Sequence, residues 1–189
     1  AVIRGGRYLR HGWTVKVDPD AVFLPERLRQ HVVRFSYLRG SSPFDPAYLN
    51  NCKDGLHGPL EIISRGGMQV FHTGLKSCEE ALRSEFSQFG EDVFFRHCMS
   101  QLGITRGDDF GLLTETACDP FPEQPMPCVS GKVAFHPLKS AEKYLRCLGQ
   151  AEADEKDALA RKHSYRDADV QPGKPAAQQD RGEDVQFFK

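Results

Sequence analysis

Trp13-Thr14-Val15-Lys16-Val17 alternates apolar and polar side chains and stops at Asp18-Pro19-Asp20, the pattern of a strand running into a turn. Pro25 stands at a first helical position, and Leu28, Val32 and Phe35 follow at helical spacing, which predicts an amphipathic helix to about Leu38. Residues 39 to 46, rich in Gly, Ser and Pro, read as a loop. A short strand is expected over Tyr48 to Asn51, then a polar stretch from Asn50 to Gly58 and an apolar run from Leu60 to Ile63. Gly66 and Gly67 leave residues 65 to 74 undecided between helix and strand, with Ser64 the cap if a helix forms. Ser77-Cys78-Glu79-Glu80 has the form of a capping box and predicts a helix of about three turns through Leu82, Phe86 and Phe89.

After the break at Gly90, Glu91 and Asp92 open a helix with Phe94, Phe95, Cys98, Met99 and Leu102 on its apolar positions and Gly103 at its end. Prolines at 120, 122, 125 and 127 make residues 105 to 128 loop-rich. Val129 to Phe135 reads as a strand delivering His136-Pro137, and Ser140 starts a helix that Gly149 closes. The spacing of Trp13, Phe86, Phe89, Phe94 and Phe95 assigns them to the core. The order of strands and helices points to an α/β fold without internal repeats. Residues 150 to 189 are dominated by Ala, Asp, Glu, Gln, Lys and Arg, so the domain is placed at 1–149 and the remainder is expected to be a polar, disordered tail.

Composition narrows the partners. The net charge is −1 and the cations are scattered among anions, which disfavours nucleic acid and anionic membranes. No run approaches the roughly 18 apolar residues of a membrane span. The chain starts at Ala1 and reaches a strand within a dozen residues, so the expectation is an internal portion of a longer protein. Six cysteines with no Cys-x-x-Cys pair give little support to a zinc or redox site and fit a disulfide framework in an oxidising lumen, the alternative being a set of buried free thiols. Cys118 and Cys128 are close enough in sequence to clip one loop, although spacing does not fix the pairing.

Two carboxylates separated by one residue at a strand end can hold a divalent cation, directly or through water. Asp18 and Asp20 meet that demand; the alternative is that they end a strand and shape a turn around Pro19. With 14 Asp in 189 residues, about one such pair arises by chance, and Asp167-Ala168-Asp169 has the look of that accident. Only the first pair follows an alternating strand and precedes a helix.

The segment from Trp13 to Leu24, with Leu28-Arg29 after it, resembles the strand, Asp-x-Asp motif and helix of the fringe and β1,3-galactosyltransferase-like glycosyltransferases. Gly58-Pro59-Leu60-Glu61-Ile62-Ile63-Ser64-Arg65 is similar to that family's glycine-bearing segment beside the donor sugar. Gly90-Glu91-Asp92-Val93-Phe94 with Cys98 and Leu102-Gly103-Ile104 is similar to its Glu-Asp-Val helix, and Phe135-His136-Pro137 stands where the family places a late His. The four blocks keep family order across residues 13 to 148. Departures are Pro19 in place of a central Asp, a reduced glycine and tyrosine pattern around Gly58, and no nucleotide-binding strands before residue 13.

The resemblance implies the C-terminal part of a GT-A fold, a mixed sheet flanked by helices without the N-terminal nucleotide-binding half. It implies an inverting transfer from a UDP-sugar donor to a glycan or glycoprotein acceptor in the Golgi or another secretory lumen. Mn²⁺ (or Mg²⁺) would be held by Asp18, Asp20 and His136. Asp92, with Glu91 as its neighbour and alternative, is the candidate general base for the acceptor hydroxyl. Lys16, His57 and Gly58 are the candidates for contact with the donor. The competing reading is a non-catalytic glycosyltransferase-like module that binds a glycan or a protein, motivated by Pro19 and the unusual glycine segment.

Overall fold

This computed structural model describes residues 2–84, 88–118, 128–129, 131–168 and 185–188. After a short helix, α1 (Val2–Gly5), the alternating segment forms β1 (Trp13–Val17), an inner strand of a five-stranded mixed sheet. Next to it lies β4 (Leu60–Ser64), antiparallel, then β3 (Ala47–Asn50), antiparallel to β4, and β5 (Thr105–Asp108), parallel to β3. Period-two alternation splits this sheet into two faces. Trp13, Val15, Val17, Leu60 and Ile62 join Leu28 and Val32 of α2 (Pro25–Arg39) in one buried cluster. Tyr48 and Ile63 join Met68 of α3 (Arg65–Ala81) and Phe95 and Met99 of α4 (Glu91–Gln101) in another. Helices cover both faces, so β1 is buried even at its polar position Thr14.

A second sheet of three very short strands completes the α/β arrangement: β2 (Val22–Phe23), β6 (Leu113–Thr114) and β7 (Ala134–Phe135), in the order β2-β7-β6. β7 runs antiparallel to β2 and parallel to β6. The strand expected over Val129 to Phe135 is therefore only its last two residues, with Gly131 turning at φ 71° just before them.

The undecided stretch after Ser64 is helix, and the capping box at Ser77 starts nothing, because Ser77 lies in the last turns of α3. The start is set by Ser64, whose hydroxyl accepts the Gly67 N–H at 3.0 Å and the Ala47 N–H at 2.9 Å and donates to the Asp45 carbonyl at 2.7 Å. Of the aromatics assigned to the core, Trp13 and Phe95 are buried, Phe89 is half-buried and stacks on His97, and Phe86 lies outside the described residues.

Helix α5 (Ala141–Ala168) does not end at Gly149. An interior glycine costs a helix about 1 kcal/mol, which tertiary contacts offset here: Ala151 is buried, and the Arg27 guanidinium of α2 donates to its carbonyl at 2.7 Å and to Asp154 at 3.2 Å. β8 (Val185–Phe188) then pairs in parallel with β1. Residues 150–168 and 185–188, expected to belong to the polar tail, are helix and strand; Asp167 falls on α5, and Asp169 lies outside the described residues.

All six cysteines pair, as Cys52–Cys118, Cys78–Cys98 and Cys128–Cys147. The predicted framework is present, but the Cys118–Cys128 clip is not. Cys118 sits just past β6 against the segment after β3, whereas Cys128 packs with Leu24, Phe135 and Cys147 under α5. Three bridges indicate an oxidising, extracellular or secretory environment. No described helix is long and apolar enough to cross a membrane.

Candidate metal and carboxylate site

The Asp18-Pro19-Asp20 turn leaves β1 with the Asp18 N–H on the Pro59 carbonyl (3.1 Å), and it closes with the Ala21 N–H on the Asp18 carbonyl (3.0 Å). The chain then enters β2, whose Val22 is paired with Phe135 of β7. Antiparallel pairing brings the residue after Phe135 beside the residues before Val22, and the Leu138 N–H donates to the Asp20 carbonyl at 2.8 Å. In this way His136, more than a hundred residues along the chain, meets the Asp-x-Asp turn. Ligand atoms of Asp18, Asp20 and His136 all lie within 4.8 Å of one another, and His136 Nε2 stands 3.4 Å from Asp20 Oδ1. All three side chains are partly exposed, and Asp20 also lines a cavity of about 520 Å³ with Pro19, Leu138 and the start of α5. Two carboxylates and one imidazole around an open corner suit a divalent transition ion.

Glu115, which sequence reasoning passed over, lies at the end of β6. Because β6 and β7 are parallel with Thr114 opposite Phe135, the next residues are neighbours, and Glu115 Oε1 reaches His136 Nδ1 at 3.0 Å. Its other oxygen meets His57 Nδ1 at 2.8 Å. The His57 loop is pinned by buried Asn51, which accepts the His57 N–H at 2.9 Å and donates to the carbonyls of His57 (2.9 Å) and Leu60 (2.7 Å).

On the opposite face of β1, the register sets Lys16 against Glu61. The Lys16 ammonium lies 3.1 Å from Asp18 Oδ1, 3.6 Å from Glu61 Oε1 and 3.4 Å from Glu91 Oε2, and it donates to the Gly58 carbonyl at 3.0 Å. Burial lowers the Lys16 pKa, but Glu61, then Asp18 and Glu91, overcome it and leave the group above its ordinary value. Lys16, a candidate for contact with the donor, is thus engaged by three carboxylates. The Gly58 N–H donates to Asp92 Oδ2 at 3.2 Å, so one peptide segment links Lys16 to Asp92. A Cβ at Gly58 would meet Asp92 and Lys16 only at ordinary contact distances of 3.5 and 3.7 Å, so space does not demand glycine there. The sequence brings Lys16, Gly58, Glu91 and Asp92 together in one cluster and Asp18, Asp20, His57 and His136 in the adjoining one, with Asp18 shared.

Glu61 is the second residue missed. Burial pushes its carboxyl up to about 7, with Lys16 pulling it partly back and Glu91 and Asp92 adding to the rise. A folded-state pKa above the unfolded value means the native state holds the extra proton between about pH 4.5 and 7, so this group's contribution is full at low pH and is lost as pH rises through 7. Glu61→Gln is therefore expected to gain stability relative to the parent on going from pH 5 to pH 8, by about 2–3 kcal/mol. Urea unfolding of both proteins in EDTA at the two pH values measures it, and a difference that does not change with pH contradicts it.

Cys52, His57 and Cys118 also approach one another, but the two cysteines are bonded to each other and offer no thiolate to a metal. No protein-family model matches the chain, and no curated protein matches it significantly.

Proposed function

We propose that this chain is part of a metal-dependent inverting glycosyltransferase of GT-A type that moves a sugar from a UDP-sugar to an acceptor hydroxyl in the secretory lumen, most simply the Golgi. The convergence of Asp18, Asp20 and His136 within 4.8 Å at an open corner carries this reading. It is supported by the order of the four sequence blocks, by a candidate base one linkage away, and by three disulfides suited to that compartment. When bound, a divalent cation at this corner supplies Lewis-acid stabilisation to the departing diphosphate.

The chain's own residues would do the rest. Asp18, Asp20 and His136 bind, while Lys16 holds Asp18 at 3.1 Å and keeps it apart from the acids of α4. Asp92, oriented by the Gly58 N–H, takes the proton from the acceptor hydroxyl. Glu91, 75% exposed and paired with Lys16, is less fixed and is the weaker candidate. His57, with Nδ1 held by Glu115, keeps Nε2 as an acceptor for a hydroxyl of the donor sugar.

Calorimetric titration with Mn²⁺ and then UDP, for the parent and Asp20→Ala, tests this reading. Expected are Mn²⁺ binding, UDP binding that requires Mn²⁺, and a loss of roughly 100-fold in Mn²⁺ affinity in a variant that keeps its melting temperature. A folded parent that binds no Mn²⁺, or binds UDP equally well in EDTA, sinks it. Binding of glycan acceptor without hydrolysis of, or transfer from, any UDP-sugar would move the assignment to a non-catalytic glycan-binding module.

A further inference from the structure

We propose that Glu115 is the positioning residue of this centre, a carboxylate clamp that fixes the rings of His136 and His57 together; the role rests on the metal-dependent function proposed for Asp18, Asp20 and His136. The side chain is 14% exposed and spends one oxygen on each ring, 3.0 Å to His136 Nδ1 and 2.8 Å to His57 Nδ1. An ionised carboxylate only accepts hydrogen bonds, so both Nδ1 atoms are donors. His136 is thereby set in the tautomer whose Nε2 lone pair points at the paired acids, 3.4 Å from Asp20. The opposite tautomer would aim an N–H at the cation and remove the ligand.

The elements carrying the clamp are themselves fixed. The His136 N–H donates to the Thr114 carbonyl at 3.0 Å, which keeps β6 and β7 in register around the contact. The Cys118 N–H donates to the Glu115 carbonyl at 3.0 Å, and the Cys52–Cys118 bridge ties that turn to the segment leading into His57. Asn51, beside Cys52, holds the His57 amide. A disulfide, a buried amide and a strand pair thus converge on one carboxylate. One of the two rings this carboxylate holds is a proposed ligand.

The test joins a readout that needs no metal to one that does. Nitrogen-15 imidazole spectra of the metal-free protein at pH 8 report the tautomers of His136 and His57, and calorimetry with Mn²⁺ alone reports affinity, for the parent and Glu115→Gln. The glutamine amide offers one acceptor and one donor, so it satisfies only one of the two rings. Expected are the Nδ1–H tautomer at both His136 and His57 in the parent, a shift toward Nε2–H at one of the two rings in the variant, and, where that ring is His136, a fall in Mn²⁺ affinity of roughly tenfold or more.

The parent spectrum alone decides even if the variant does not fold: a His136 ring without a proton on Nδ1 overturns the clamp. So does a folded variant in which neither His136 nor His57 changes tautomer, and that outcome leaves the metal function standing. A parent that binds no Mn²⁺ overturns the metal function first and the positioning role with it.

Discussion

Asp92→Asn is expected to lower turnover about a thousandfold while the fold and Mn²⁺ binding persist. Asp92 stands in the first turn of α4, with Oδ2 accepting the Gly58 N–H at 3.2 Å and Oδ1 the Val93 N–H at 2.9 Å. Asparagine is nearly isosteric and retains one acceptor oxygen, so the bond that fixes the Gly58 loop survives while the proton acceptor is lost. Asp92→Ala removes both and adds a structural defect, which makes it the poorer probe. The loss should fall on kcat, because an acceptor proton leaves in the transition state and not on binding. Glu91→Gln should cost much less, since that side chain is exposed and engaged with Lys16. If Asp92→Asn keeps activity within about tenfold and Glu91→Gln does not, the two roles exchange.

What could be read from the residues was what depends on local period. β1 begins and ends where alternation does, at Trp13 and Val17, and the start of α4 is marked by two acids after Gly90. The Asp18, Asp20 and His136 grouping was legible only through a resemblance, since nothing local at His136 points to a turn 116 positions earlier. The pairing that joins them runs through β2 and β7, two residues each, too short to show any period. Glu115 was invisible for the same reason: it directly follows β6, another two-residue strand, inside a loop-rich stretch. Glu61 was hidden by its neighbours. Within Leu60 to Ile63 it passes for an interruption in an apolar run, and only the register that sets it opposite Lys16 shows it to be a buried acid. Disulfide partners likewise depend on which loops meet, which is why Cys118 finds Cys52 and not its closer neighbour Cys128.

These omissions share a geometry that bears on the chemistry. The turn before β2, the end of β7 and the end of β6 lie together, so the small sheet serves to assemble Asp20, His136 and Glu115. The large sheet contributes Lys16 and Glu61 on its α4 face and Asp18 at the end of β1. Asp18 is the joint between the two sheets, and Lys16 is what holds it there.

Gly66→Ala is expected to destabilise the domain by about 3 kcal/mol or more, although alanine is by far the better helix former. Gly66 occupies the first turn of α3, and its N–H donates to the Pro43 carbonyl at 3.0 Å. The 43–47 loop lies so close that a Cβ at this position would collide with the Phe44 carbonyl and approach the Asp45 carbonyl carbon to 2.8 Å. These are backbone atoms and cannot rotate aside. Moving the loop breaks the Ala47 and Asp45 bonds to Ser64, the cap on which the helix depends. Gly149→Ala is the control of opposite sign: it lies within α5, and among the described residues nothing stands within 4 Å of its added Cβ. There the propensity gain acts unopposed and should stabilise by about 0.5–1 kcal/mol. For a chain of this length, thermal melting should separate the two variants by about 7–16 °C. If Gly66→Ala instead melts at or above the parent temperature, the loop is not seated on α3 as described, and the route by which Ser64 starts that helix is wrong.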